Sequence, residues 1–305
     1  MMEALLRKLL LAAGRNAALS RLMRKHGMRL GARRYVAGTG LTEAIATVRR
    51  LNKEGKLATL DHLGEYAGSA RDAARAAEMC LKTLDALHHS GVDGNLSLKL
   101  TSLGLDLDTT ACENYMRAIL QRAAEYGIFV RIDMEDSKRC ERTLRLYDKL
   151  SGEFPGVGVV IQAYLRRSPE DLKALGRSGA NVRLVKGAYK ERPDVAYPDK
   201  RDVDSAYLRL AMAHLSSEGY TAIATHDEIL IGQARDWMAQ QGIPDSRYEY
   251  QMLYGIGEEL QNRLVKDGCK VRVYVPFGED WFGYFIRRLA ERPANLWFVL
   301  KHWRK

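Results

Sequence analysis

Two hydrophobic periods alternate along this chain. Short runs rich in β-branched residues carry apolar positions in unbroken rows or every second residue, the mark of strands; longer runs carry them at i, i+3, i+4 and i+7, the mark of helices. The strand-like runs are Lys56–Glu65, Asn95–Leu100, Ile128–Glu135, Val157–Tyr164, Asn181–Tyr189, Thr221–Glu228, Tyr248–Gly255 and a last one opening at Lys270. Helical patterns follow at about Ser69–His89, Thr109–Tyr126, Ser137–Leu150, Ser168–Arg177, Asp202–Glu218, Ile229–Gln241, Glu258–Lys266 and from Asp280 to Pro293.

Eight strands each followed by a helix give the count and length of a (β/α)8, TIM-like barrel of the α/β class. A doubly wound open sheet would want a glycine-rich turn after its first strand. Gly64 stands alone there, and Gly255-Ile256-Gly257 lacks the third glycine of a dinucleotide fingerprint. Residues 1–50 read as an N-terminal helical segment, 51–295 as the barrel, and 296–305 as an aromatic and basic tail.

The last strand and helix hold the most specific pattern. Val271, Val273 and Val275 alternate with polar residues, Pro276 and Gly278 are expected to stop the strand, and Asp280 can cap a helix. On that helix Trp281, Phe285, Ile286 and Leu289 suit a buried side, while Tyr284, Arg287, Arg288 and Glu291 share another. Two arginines aimed one way match the two oxygens of a carboxylate or phosphate. The plain alternative is a surface ion pair between Arg287 and Glu291.

Chemistry in such a barrel gathers at the carboxyl ends of the strands. Those ends carry Asp61, Glu65, Lys99, Asp133, Met134, Gln162, Arg183, Lys186, Thr225, His226, Gln251 and Tyr274, a polar and titratable ring. Lys99 has an alternative as a snorkelling surface lysine, Asp133 as a helix cap and His226 as a satisfied core histidine.

Composition narrows the setting. With 305 residues and 46% hydrophobic content the chain can bury a large core. Cys80, Cys112, Cys140 and Cys269 lie far apart without metal-site spacing and read as buried thiols of a reducing compartment. No run approaches the roughly 18 apolar residues of a membrane span. The net charge of +10, much of it in Arg7–Arg34, allows attraction to nucleic acid, to anionic lipid or to an acidic small molecule.

At this point the residues match a family pattern. LGE (63–65), LSLKLTSLG (96–104), RIDMED (131–136), IQAYLRR (161–167), VRLVKGAYKE (182–191), ATHD (224–227), YEYQMLYG (248–255), and YVPFG (274–278) followed by FIRRLAERPAN (285–295) resemble proline dehydrogenase, in order, from about residue 38 to 295. The length resembles the monofunctional bacterial form. The resemblance implies a distorted barrel that binds FAD and oxidises L-proline to Δ1-pyrroline-5-carboxylate. It implies that Arg287 and Arg288 hold the substrate carboxylate with Lys99, that Glu291 and Asp133 offset their charge, and that Glu65 pairs with the first arginine as a lid. Tyr274, Tyr284 and Leu184 would close around the ring. Arg183 would lie near the flavin N5, and Met134, Gln162, Lys186, Gly187, Ala188, Thr225 and His226 would line the cofactor. Asp133, Arg183, Lys99 and Tyr274 form the expected catalytic set, without a metal.

Family behaviour points to a quinone as acceptor of the electrons. The basic beginning and the tail with Trp297, Phe298 and Trp303 suit an anionic lipid surface. The protein is therefore expected in the cytoplasm, in peripheral contact with the inner face of the membrane. Two rivals remain: a Schiff-base lyase using Lys186 or Lys99 as a desolvated amine, and a basic nucleic-acid-binding module. The second lacks any recognised motif and interleaved aromatics, so no nucleic-acid partner is expected.

Overall fold

The computed structural model describes residues 32–64 and 66–291. Eight parallel strands close into a barrel in chain order: β1 Leu57–His62, β2 Gly94–Leu98, β3 Val130–Ile132, β4 Val157–Gln162, β5 Asn181–Val185, β6 Tyr220–Ala224, β7 Tyr248–Leu253 and β8 Val271–Phe277. Helix α1, Leu41–Lys53, precedes them. Helices α2 Ala70–Ser90, α3 Thr109–Tyr126, α4 Ser137–Ser151, α5 Ser168–Arg177, α6 Lys200–Leu215, α7 Glu228–Gln241 and α8 Glu258–Lys266 connect them, and α9, Trp281–Glu291, follows β8.

Local chemistry sets several boundaries. Ser69 accepts from the Asp72 amide at the start of α2, and Asp108 accepts from Thr110 and Ala111 at the start of α3. Gly91, Gly127 and Gly242 close α2, α3 and α7 in left-handed conformations that glycine adopts without steric cost. One expectation fails at the end of the barrel: Pro276 does not stop β8, which runs to Phe277. Parallel register seats Pro276 opposite Asp61 on β1, and its carbonyl accepts from the Ala37 amide at 2.9 Å on the side where β7 pairing has already ended at Leu253–Tyr274, so its nitrogen has no ladder bond to lose.

The outer faces of the strands pack on the helices in one large apolar cluster running from Ala77 to Val271. The seam between β8 and β1 is covered differently. There α1 supplies Ala44, Val48 and Leu51 against Leu60, Val273 and Val275. It fills the place that the helix after β8 would take in a regular barrel, and it crosses the boundary expected at residue 50. That displaced helix, α9, instead buries Trp281, Phe285 and Leu289 against Tyr35, Leu63, Leu253 and Ile256. Leu63 follows β1 and Leu253 ends β7, so α9 lies over the carboxyl ends of the strands. This is the distortion of the barrel, and it puts the arginine helix above the mouth.

Among the described residues no helix is long and apolar enough to cross a membrane, and no group of three or more His, Cys, Asp and Glu is placed to hold a metal. Cys80, Cys112 and Cys140 are buried thiols, with burial pushing each up to about 12; Cys269 is half-buried.

Candidate active site

The inside of the barrel is polar. Strand side chains alternate between faces, so the residues that send Val271, Val273 and Val275 outward send Arg272 and Tyr274 inward. Asp61 on β1, Ser97 on β2 and Asp133 just after β3 share that interior, with Lys99 directly after β2. Lys99 Nζ lies 3.2 Å from Asp61 Oδ2, 3.1 Å from Asp133 Oδ2 and 3.4 Å from the Tyr274 hydroxyl. Tyr274 donates to Asp133 Oδ2 at 2.9 Å, and Ser97 and Arg183 donate to Asp133 Oδ1 at 2.7 and 2.8 Å. The Arg183 guanidinium lies over the Tyr274 ring, 5.2 Å from its centre. Lys99, Asp133, Arg183 and Tyr274 are thus in one cluster, and Asp133 caps nothing.

The two carboxylates differ in charge tendency. Burial raises both, and at Asp61 it prevails, with the nearby Asp133 adding to it against the pull of Lys99. At Asp133 burial is outweighed by Lys99, Arg183 and the hydrogen bonds from Ser97 and Tyr274, which hold it below the usual carboxylate range. Burial, then Asp133 and Asp61, push the Tyr274 phenol well above its ordinary value, so it stays a donor.

Above this cluster stands α9. Arg288 lies over the Tyr284 ring at 5.1 Å, and both arginines are half-buried. Tyr284 belongs to the buried side of the helix with Trp281 and Phe285, rather than to a separate polar side. Glu291 closes α9 and its side chain lies outside the described residues, as do Glu65, residues 1–31 and the tail.

The family model for proline dehydrogenase matches residues 44–301. The chain belongs to the proline dehydrogenase family. It is 49% identical over 297 residues to proline dehydrogenase 1 of Bacillus subtilis subsp. natto, spanning 97% of this chain and 98% of the relative. It is 40% identical to the proline dehydrogenase of Deinococcus radiodurans, over 99% and 98%. A solved structure of proline utilization A from Bdellovibrio bacteriovorus, inactivated by N-propargylglycine, superposes with a TM-score of 0.82 at 27% identity, covering 90% of this chain and 34% of that one. As a proline dehydrogenase this chain oxidises proline, the first step of proline catabolism.

Proline dehydrogenases are flavin-dependent, and the other arc of the barrel mouth fits such a group. Gln162 ends β4, Arg183 and Lys186 lie on and just after β5, and Thr225 and His226 follow β6, on three neighbouring strands. Gln162 spends its amide N–H on the Glu135 carbonyl at 2.8 Å, which leaves its oxygen as an acceptor. His226 Nε2 accepts from the Leu253 amide at 2.9 Å, so its proton resides on Nδ1 as a donor. Gly187 sits at φ +119°, where an added Cβ would meet the Tyr164 ring at 2.1 Å; only bare backbone fits. Lys186 pairs with Asp204 at 2.6 Å and Asp227 at 2.8 Å beside that loop. Met134 is buried after β3 and Ala188 is exposed on the loop after β5.

Leu184 is not part of this gathering. It alternates with Arg183 along β5 and so points outward into the sheet–helix core, where Tyr207 donates to its carbonyl at 3.2 Å. Sequence reasoning passed over four interior residues: Ser97, Arg131, Glu249 and Arg272, all buried. The signal was present. Each lies two positions before a polar strand-end residue, Lys99, Asp133, Gln251 and Tyr274, and period two puts both on the same face.

Proposed function

We propose that this chain is the monofunctional, FAD-dependent enzyme that converts L-proline to Δ1-pyrroline-5-carboxylate, with a quinone taking the electrons onward. The observation that carries the reading is the Lys99–Asp133–Arg183–Tyr274 cluster lying between the arginine helix and the Gln162–His226 arc. Arg287, Arg288 and Lys99 would bind the substrate carboxylate, with Glu291 and Glu65 as their anionic partners. Three cations suit one carboxylate in a closed site, because paired charge is strong there and unpaired charge is costly. Asp133 holds Lys99 and Arg183 in place, and Tyr274 and Tyr284 would confine the five-membered ring.

Bound FAD would supply the hydride acceptor that no side chain provides. Gln162, Arg183, Lys186, Gly187, Ala188, Met134, Thr225 and His226 would hold it. The substrate must present a neutral amine, whose lone pair drives departure of hydride from C5, and the surrounding cations lower that amine's pKa. The lyase reading is disfavoured because Lys99 and Lys186 each sit in a pair of carboxylates, the reverse of a desolvated, unpaired amine.

The reading is tested by incubating the protein with L-proline and an artificial electron acceptor, then adding o-aminobenzaldehyde, which traps the cyclic imine as a coloured adduct. Adduct that depends on both protein and proline supports it; none, with the acceptor unreduced, rejects it. The barrel of residues 51–295 would act as the catalytic unit. The basic N-terminal segment and tail would seat it on the inner, anionic face of the membrane, where quinone resides. Failure to co-sediment with anionic liposomes at low salt would refute that seating.

A further inference from the structure

One layer below the substrate cluster lies a set of buried charges that the reaction as described does not use. Glu249 on β7 is 4% exposed and Arg272 on β8 is 9% exposed. Arg272 donates through Nε to Glu249 Oε1 and through Nη1 to the Ala58 carbonyl, both at 2.9 Å. Tyr220 donates to Glu249 Oε2 at 3.2 Å. Gln251, two residues along β7 and therefore on the same face, donates through Nε2 to Glu249 and accepts through Oε1 from Arg183 Nε at 2.5 Å. Arg183 Nη1 then reaches Asp133.

The two ends of the Gln251 amide are not interchangeable. A carboxylate only accepts and a guanidinium only donates, so the amide must show its NH2 to Glu249 and its oxygen to Arg183. Reversed, it would set oxygen against carboxylate and NH2 against guanidinium, losing two hydrogen bonds in a dry interior where neither is replaced by water. Burial pushes the Glu249 carboxyl up, but Arg272, Gln251 and Arg131 outweigh it and keep it below the usual range, so the dictating charge is present.

We propose that Glu249 is a positioning residue for proline oxidation: it fixes the Gln251 amide, which holds the Arg183 guanidinium in the rotation that pairs it with Asp133. The inference rests on the reading of the site as flavin-dependent, since Arg183 is the residue that joins the cofactor arc to the substrate cluster. Such a chain is costly to bury compared with apolar side chains of the same volume, so packing alone does not account for it.

The test is Glu249→Gln, which keeps the shape and removes the charge. Its two effects on bound flavin have opposite signs. Loss of a buried anion alone raises the flavin midpoint potential, because the reduced ring carries more negative charge; displacement of Arg183 lowers it. The proposal predicts a more negative potential and an about tenfold or greater loss in the rate of reduction by proline, with KM changed less than about twofold. A potential that rises or stays, with an unchanged rate, overturns it. A second readout needs no flavin: unfolding of the apoprotein in a cycle of Glu249→Gln, Arg183→Lys and the double variant. Coupling of about fivefold in the unfolding constant, abolished by Gln251→Leu, supports the relay; additivity overturns it. Wild-type protein that holds no flavin and leaves proline untouched would reject the functional reading, and the unfolding cycle then decides the positioning claim by itself.

Discussion

Arg183 Nη1 donates to Asp133 Oδ1 at 2.8 Å inside the barrel, tying β5 to the end of β3. Both side chains are buried, and Asp133 also holds Lys99 and Tyr274 through its other oxygen. One carboxylate therefore organises the cations on both arcs of the mouth. Asp133→Asn is expected to lower kcat/KM about 100-fold and stability by about 1–3 kcal/mol, measured by steady-state kinetics and denaturant unfolding. Normal kinetics in the variant would remove Asp133 from its central place.

The paired arginines are proposed to act on binding. Arg287→Ala and Arg288→Ala should each raise the KM for proline about 100-fold, near 3 kcal/mol, with a smaller effect on kcat. Prolinamide, which has no carboxylate, should lose far less from either change. Equal losses for both substrates would mean that the arginines do not hold the carboxylate.

Acidity should separate the two buried aspartates. Asp133, depressed in the folded state, contributes stability that is present above its unfolded value and lost as pH falls through its folded one. Asp61 is raised, so its contribution is present below its unfolded value, near 3.8, and lost as pH rises through its folded value. Asp61→Asn should accordingly gain stability relative to wild type as pH rises above about 4. Unfolding curves of the two proteins across that window check the sign; a difference independent of pH would contradict it.

Gly187 is the backbone counterpart. Gly187→Ala forces a Cβ into the Tyr164 ring at a φ that side chains disfavour. It should cost about 2–3 kcal/mol and reduce the ratio of bound flavin to protein. Full flavin content in a stable variant would mean that the loop is not part of the cofactor's seat.

Much of this was legible in the sequence, for definite reasons. Lys99, Asp133 and Tyr274 stand at the ends of periodic runs, where a barrel exposes its chemistry, so position put them in the candidate ring and the family resemblance singled them out. Glu249 and Arg272 lie within the runs, and a parallel strand is expected to be apolar on both faces; here the inner face is charged and only the outer face is apolar. Leu184 was misplaced for the complementary reason: its neighbour Arg183 takes the inward position, and period two turns Leu184 outward. The course of β8 through Pro276 depends on pairing with β1, a contact between distant parts of the chain that local propensity does not contain. The same holds for α1 replacing α9 in the wall, which turns on which helix covers the β8–β1 seam.

The most direct test is an anaerobic titration of the purified protein with L-proline, followed by its visible absorption spectrum. Flavin bands should bleach with proline in wild type and, at the same sub-saturating proline concentration, bleach about 100-fold more slowly in Arg287→Ala. Protein whose flavin bands are untouched by proline, or which takes up no FAD, would contradict the proposed function.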